Sequence, residues 1–111
     1  MQDHLSSRVN SARLPQFVGQ TVRLACKVLR FQADTAIVEA SDGGQVEIRL
    51  PKDHNMAATY VEVIGTVLDA TSIKMLGCVN LDGELDMKLV NDVVELTFDP
   101  RFRKMFVRME T

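Results

Sequence analysis

The segment that most constrains this chain lies near its carboxyl end, where residues 86–98 have the apolar period of an α-helix and no helix breaker. Apolar side chains cover an arc of roughly 200° around this predicted helix, whereas the core-facing stripe of a surface helix is usually little more than about 100° wide. The apolar residues are Met87, Leu89, Val90, Val93, Val94, Leu96 and Phe98. Because one small domain covers only one flank of such a helix, the pattern predicts that the other flank binds a partner.

The apolar arc divides into two flanks on a helical wheel, with Val90 between them. The first flank contains Leu89, Val93 and Leu96, and the second contains Met87, Val94 and Phe98. The wheel does not distinguish the flank that meets the domain from the flank that meets the partner. The alternative interpretation is a broad core helix with the carboxyl-terminal tail folded over it.

Composition argues for a small domain inside the cell. The 111 residues suffice for one domain with a modest core. The formal net charge of −2 lacks the basic balance of proteins that bind nucleic acid on their own. Cys26 and Cys78 lie in apolar segments without metal-ligand spacing, which favours buried free thiols in a reducing compartment. No apolar run approaches the ~20 residues of a membrane span, and no signal peptide is recognisable. We therefore expect an intracellular, soluble protein with no membrane association, cofactor or metal ion.

Alternating apolar and polar residues predict five strands in a three-plus-two order. The predicted strands are 22–31, 35–41, 46–50, 59–68 and 72–81, and a polar connection, 51–56, follows the third. This order predicts a mainly β fold, a five-stranded OB-fold barrel with a short N-terminal helix and a C-terminal α-helix used for oligomerisation. An SH3-like barrel is the alternative. The single domain, 1–111, then consists of the barrel with its N-terminal helical segment (8–84), the assembly helix (85–99) and a tail (100–111).

Three local signals refine this prediction. Asp42-Gly43-Gly44 predicts a type I′ hairpin with both glycines at positive φ. Gly65 marks a bend or a close backbone approach within the fourth strand. Residues 1–7 are polar and expected to be mobile, and a short helix within 8–18 is expected to be capped by Asn10 or Ser11.

The usual ligand face of such a barrel, around its second and third strands, is poorly equipped in this sequence. Single-stranded nucleic acid binders place aromatic and basic residues there, but these two strands contain no aromatic residue. The candidate DNA contacts are Arg30, Phe31, Arg49, Lys52 and Lys74. The alternative is that they are ordinary surface charges and one strand-end aromatic.

No set of residues supports catalysis. The sequence has no plausible combination of serine, histidine and acid, and no glycine-rich phosphate loop before a helix. His4 and His54 are isolated, and neither is assigned a ligand role. We therefore expect neither an enzyme nor a protein with a small-molecule substrate.

Several pieces, in their order and spacing, resemble the smallest subunits of replication protein A, the heterotrimeric eukaryotic single-stranded-DNA-binding factor. They are Arg8-Val9-Asn10 with Leu14 and Gln16-Phe17, Ser41-Asp42-Gly43, Val61 to Val67, and Phe98-Asp99-Pro100. The resemblance implies that the C-terminal helix packs beside helices of the middle and large subunits in a three-helix bundle. It also implies a nuclear assembly subunit in DNA replication, repair and recombination, with single-stranded DNA bound mainly through the partners.

Two alternatives to this function remain at the level of sequence. One is the smallest OB-fold subunit of a telomere-end-binding complex, and the other is a self-sufficient homo-oligomeric binder of single-stranded nucleic acid. The tail, 101–111, is both basic and apolar, and it is more basic than expected of the family. This composition leaves open whether the tail touches DNA or a partner.

Overall fold

The computed structural model describes residues 6–102. This part of the chain contains six strands, one 3-10 helix and one α-helix. The strands are β1 (Ser7–Val9), β2 (Thr21–Gln32), β3 (Thr35–Ala40), β4 (Gln45–Arg49), β5 (Tyr60–Asp69) and β6 (Ser72–Leu81). The 3-10 helix (Ser11–Phe17) lies between β1 and β2, and α1 (Met87–Thr97) follows the last strand. Of the predicted tail, 101–111, only Arg101 and Phe102 are among the described residues.

The five long strands close into a barrel. Their neighbours run β2, β3, β4, β6, β5, and β2 pairs with β5 to complete the ring. All these pairs are antiparallel except β4 with β6, which is parallel. Closure removes the exposed edges that an open sheet of this size would carry. The predicted OB-fold class is confirmed.

Alternation along the strands builds the core. Along the first half of β2, along β3 and along most of β5, successive residues are partly buried and buried in turn, because every second side chain points into the barrel. Leu14 of the 3-10 helix is fully buried and belongs to the same core. Cys26 is buried in the interior and Cys78 is partly buried, and both are free thiols.

Gly65 of β5 lies close to the backbone of β6. A Cβ atom at this position would lie 2.4 Å from the carbonyl oxygen of Lys74, and the register of the strand pair shifts beside it. The close approach predicted from the sequence is therefore present.

The β3–β4 hairpin differs from the predicted type I′ turn. Only Gly43 has positive φ (90°), and the loop spans residues 41–44. Gly43 N–H donates to the carbonyl of Ala40 (2.9 Å), as in the type I turns on which four-residue loops are usually built. Gly44 is needed for space instead, because a Cβ atom there would lie 2.0 Å from Ser11 Oγ.

The amino-terminal prediction was also partly wrong. Residues 7–9 form β1, paired in parallel with β2, where a mobile end and the start of a helix were predicted. Asn10 is extended and caps the 3-10 helix, so helical geometry begins only at Ser11. Val9 is buried in the core, and Arg8 forms an exposed ion pair with Glu62 (3.3 Å).

Candidate partner-binding surface and nucleic-acid contacts

Helix α1 is delimited by local chemistry at both ends. At its start, the Asp86 carboxylate accepts a hydrogen bond from Leu89 N–H (3.1 Å), as an N-cap does. At its end, Phe98 N–H and Asp99 N–H donate to carbonyls three residues earlier (3.0 Å each), which tightens the last turn. Helical geometry resumes at residues 100–102 after this break. The observed helix agrees with the predicted segment 86–98 to within one residue at each end.

One apolar flank of α1 packs on the barrel. Val94 is 3% exposed, and Met87 and Phe98 of the same flank are partly buried. The Phe98 ring meets the Phe17 ring edge to face, with centroids 5.9 Å apart at 68°. The Arg13 guanidinium lies 4.3 Å from the centroid of the Phe98 ring, within cation–π range. The structure thus shows which of the two flanks meets the barrel.

Asn10 connects α1 to the 3-10 helix through three hydrogen bonds. Its side chain is 1% exposed and accepts from Arg13 N–H (3.1 Å) as the N-cap. Its amide nitrogen donates to Asn91 Oδ1 (2.8 Å) and to Glu95 Oε2 (2.6 Å). Ser41 Oγ adds a fourth contact by donating to Asn91 Oδ1 (3.3 Å). Asn10 is therefore the buried polar centre of the helix–barrel junction.

An ion pair completes this junction. Arg13 Nη2 lies 2.5 Å from Glu95 Oε1. Hydrogen bonds from Arg13, and then from Asn10, lower the pKa of Glu95 below the ordinary value of a glutamate. The sequence pattern offered Asn10 or Ser11 as the cap, and the structure shows Asn10. Its bonds to α1 could not be predicted, because they join residues more than 80 positions apart.

A second carboxylate, Asp42 of the hairpin, binds the start of the 3-10 helix. Its oxygens accept hydrogen bonds from Ser11 Oγ (2.8 Å) and Ala12 N–H (3.0 Å). Burial alone would raise the pKa of Asp42, but these hydrogen bonds and others from Gly44 and Ser11 N–H outweigh it, and the pKa is lowered. The hairpin therefore supports the 3-10 helix, which in turn supports α1.

The other apolar flank of α1 is exposed. Leu89 is 60% exposed, Val93 43% and Leu96 40%. These three side chains are neighbours on the helix surface, and no group among residues 6–102 covers them. An exposed ion pair between Lys88 and Asp92 (3.6 Å) borders one edge of this flank. We call these three residues the exposed flank; Val90, which is partly buried, lies between it and the barrel-facing flank.

The five candidate DNA contacts fall into two groups. Arg49 of β4 and Lys74 of β6 are paired in register on the side of the barrel. Phe31 lies at the barrel end, where its ring stacks on His54 of the 51–56 connection. Arg30 precedes Phe31, and Lys52 lies in the same connection as His54; both are exposed. The stacking of His54 on Phe31 could not be predicted from the sequence, because the two rings come from separate segments of the chain.

The outer surface of β3 and β4 agrees with the poor ligand face predicted from the sequence. Its outward positions include Ile37, Glu39, Glu47 and Arg49, so acids outnumber bases there, and Glu47 faces Ile37 in register. Acidic side chains repel a phosphate backbone, and the surface has no aromatic ring on which a base could stack.

The described part of the chain offers little for other kinds of site. No group of three or more histidine, cysteine or acidic side chains within residues 6–102 is arranged to hold a metal ion. No helix in this range is long and apolar enough to cross a membrane. An open groove of about 450 Å³ lies beside the lead into α1 and is lined in part by Lys27, Tyr60, Asp82 and Glu84.

These features define a small OB-fold barrel with a docked helix, one apolar face of which is covered by no group among the described residues. Residues 1–105 match the family model described as Replication factor A protein 3, and the chain belongs to this family. The resemblance noticed in the sequence is thereby confirmed.

Individual relatives agree with this assignment. The chain is 26% identical over 100 residues to the Replication factor A protein 3 of Schizosaccharomyces pombe, covering 89% of this chain and 92% of the relative. It is similar to a chain in the structure of U. maydis replication protein A bound to single-stranded DNA, with a TM-score of 0.83, 35% identity, and coverage of 91% of this chain and 94% of that chain.

A more distant likeness supports the fold alone. A telomere capping protein from Schizosaccharomyces pombe superimposes with a TM-score of 0.65 at 10% identity, covering 81% of this chain and 94% of the other.

Proposed function

We propose that this chain is the small assembly subunit of a heterotrimeric complex that binds single-stranded DNA in replication, repair and recombination, and that it acts in the nucleus and is not an enzyme. The observation that carries the proposal is the exposed flank of α1 on a helix that is firmly docked to the barrel. Membership of the Replication factor A protein 3 family supports it. So does the likeness to a chain of a replication protein A structure that contains single-stranded DNA.

The spacing of the exposed flank favours helices as the binding partners. Leu89, Val93 and Leu96 follow one another at intervals of four and three residues, the spacing of the core positions in coiled coils and helix bundles. A seam of this kind packs against helices whose own core positions repeat in the same way. We propose that one helix from each of the middle and large subunits packs on it in a three-helix bundle.

Covering the exposed flank would contribute favourably to the free energy of assembly. Complete burial of a leucine or valine side chain contributes about 1.5–3 kcal/mol. The three side chains are 40–60% exposed in the single chain, so covering them contributes roughly 2–4 kcal/mol in total by the same scale. Partner side chains that become buried against them add a comparable term. Such a surface is therefore well suited to assembly.

The surface of β3 and β4 supports the second half of the proposal, that the partners carry most of the DNA binding. Its outward acidic residues, Glu39 and Glu47, outnumber its one outward base, Arg49, and the net charge of the chain is −2, so the surface does not favour phosphate. The chain would then contribute to DNA binding chiefly by holding the other subunits together.

Co-expression with candidate middle and large subunits, followed by mass measurement of the purified complex, tests the proposal. We expect one copy of each of the three proteins. A stable complex with a single partner would instead support a telomere-end type of assembly. A homo-oligomer that binds single-stranded DNA without partners would contradict the proposal.

A further inference from the structure

The barrel end formed by the β2–β3 turn and the 51–56 connection carries two stacked rings. The centroids of Phe31 and His54 are 6.1 Å apart, and the ring planes differ by 20°. Phe31 is 53% exposed and is the one phenylalanine among residues 6–102 whose surface is mostly open to solvent. Phe17 and Phe98 pack against the hydrophobic core, whereas Phe31 does not and so gains less stabilisation from burial.

Hydrogen bonds order the two segments that carry the rings. Leu50 N–H donates to the carbonyl of Asp34 (2.9 Å), which ties the β2–β3 turn to the end of β4. Thr35 Oγ1 donates to the carbonyl of Gln32 (2.8 Å) and closes the same turn. His54 Nδ1 accepts from Met56 N–H (3.2 Å), so the orientation of the imidazole is set from within the connection. The stacked arrangement is therefore present in the single chain, on segments with an ordered backbone.

The charges around the stack suit a short contact with one nucleotide better than a long anion groove. Arg30 and Lys52 are exposed cations on the two segments that supply the rings. Asp34 and Asp53 are exposed acids on the same segments, so the local formal charge is balanced. Binding at this end must therefore depend on stacking more than on summed charge.

We propose that Phe31 and His54 form a stacking site for one unpaired base of single-stranded DNA, with Arg30 and Lys52 beside the adjoining phosphates. A ring supplies a surface on which any base stacks, and a neighbouring cation accommodates the phosphate. This inference rests on the proposed function, which brings single-stranded DNA to the complex. Because the chain is held in that complex, a weak site adds to the partners' binding through its high effective concentration.

Binding of a labelled oligothymidine to the full chain, followed by fluorescence anisotropy, gives the first test. Phe31→Ala should weaken binding by about five-fold or more, the loss expected for one stacked base. Phe31→Tyr keeps the ring and should retain binding. The matched control is Leu76→Ala on β6, since Leu76 is 59% exposed but carries no ring.

A tryptophan reporter gives a second test that does not depend on the alanine variant. The chain contains no tryptophan, so Phe31→Trp places a single indole in the stack. Oligothymidine should quench its fluorescence, whereas Leu76→Trp should not respond. Equal quenching at both positions, or none at Phe31→Trp at about millimolar oligonucleotide, would overturn the inference.

Two further results separate the stacking site from a purely structural ring and from the proposed function. If Phe31→Ala lowers the melting temperature and leaves oligothymidine binding unchanged, the ring is only a plug for the barrel end and the inference is wrong. Neither variant touches α1, so co-purification with the partner subunits reports on the proposed function separately. Assembly without quenching would refute the stacking site alone, and quenching without assembly would support the site while the assembly proposal fails.

Discussion

Replacement of Asn10 by alanine should loosen the attachment of α1 to the barrel. The change removes the N-cap bond to Arg13 N–H (3.1 Å) and the two bonds to Asn91 and Glu95 (2.8 and 2.6 Å). Loss of a cap costs about 1 kcal/mol. A bond to a charged group contributes about 1.5–3 kcal/mol, but the Glu95 side chain is 41% exposed, and water will replace part of this bond.

Together these terms predict a loss of about 2 kcal/mol of unfolding free energy. For a domain of about 100 residues, this corresponds to a fall of roughly 8–16 °C in melting temperature. Thermal unfolding of the full chain, followed by circular dichroism, measures it. Asn10→Ser is the matched control because serine also caps helices but lacks the amide donor, so it should lose about half as much.

The result that would refute this reasoning is a melting temperature for Asn10→Ala within about 2 °C of the unmodified chain, which is less than the loss of the cap alone should cause. Equal losses for Asn10→Ser and Asn10→Ala would show that the bonds to α1, rather than the cap, account for the whole effect.

Three further predictions follow from particular contacts. Hydrogen bonds lower the pKa of Glu95 in the folded chain. The contribution of Glu95 to stability is therefore complete above its unfolded-state pKa and is lost as pH falls through its folded-state pKa. In urea unfolding from about pH 6 to pH 3, the unfolding free energy of Glu95→Gln should vary less with pH than that of the unmodified chain. Gly65→Ala should lower the melting temperature strongly, since its Cβ would lie 2.4 Å from a backbone oxygen, whereas Gly77→Ala meets no atom within 4 Å; equal melting would be the contrary result. Burial raises the pKa of Cys26 to about 12, so a thiol reagent at neutral pH should label the partly buried Cys78 first and Cys26 only on unfolding, and simultaneous labelling of the native chain would contradict this.

The barrel strands could be predicted because side chains that point into the barrel are apolar and alternate with polar ones along the sequence. The fifth predicted strand, 72–81, coincides with β6, and the second, 35–41, is one residue longer than β3. Strand β1 was missed because three residues are too few to show a period, and its pairing with β2 is a tertiary contact. The hairpin was misjudged because the Asp42 carboxylate, bound to Ser11, belongs to a contact 31 residues away in the chain.

In the candidate sites, too, local patterns could be predicted from the sequence and contacts between distant residues could not. The helical wheel separated the two flanks of α1 correctly, since it depends only on local spacing. The choice of the buried flank depends on Asn10, Arg13 and Phe17, which are distant in sequence, so the wheel could not make it. The stacking of Phe31 on His54 could not be predicted either, because the two residues lie in separate segments that no local sequence pattern relates.

The central claim, that the exposed flank of α1 is the assembly surface, is tested most directly by comparing paired aspartate substitutions in co-purification with the partner subunits. Leu89→Asp with Val93→Asp alters the exposed flank, and Met87→Asp with Val94→Asp alters the buried one. The control is Lys88→Ala with Asp92→Ala, which removes only an exposed ion pair. Loss of an interface anchor commonly costs about 2 kcal/mol or more.

We expect the exposed-flank pair to keep the melting temperature of the single chain and to abolish co-purification. The buried-flank pair should unfold the chain, because Val94 is 3% exposed, and the control should change neither property. If the exposed-flank pair folds and still co-purifies with its partners as well as the control does, this surface of α1 is not the assembly surface.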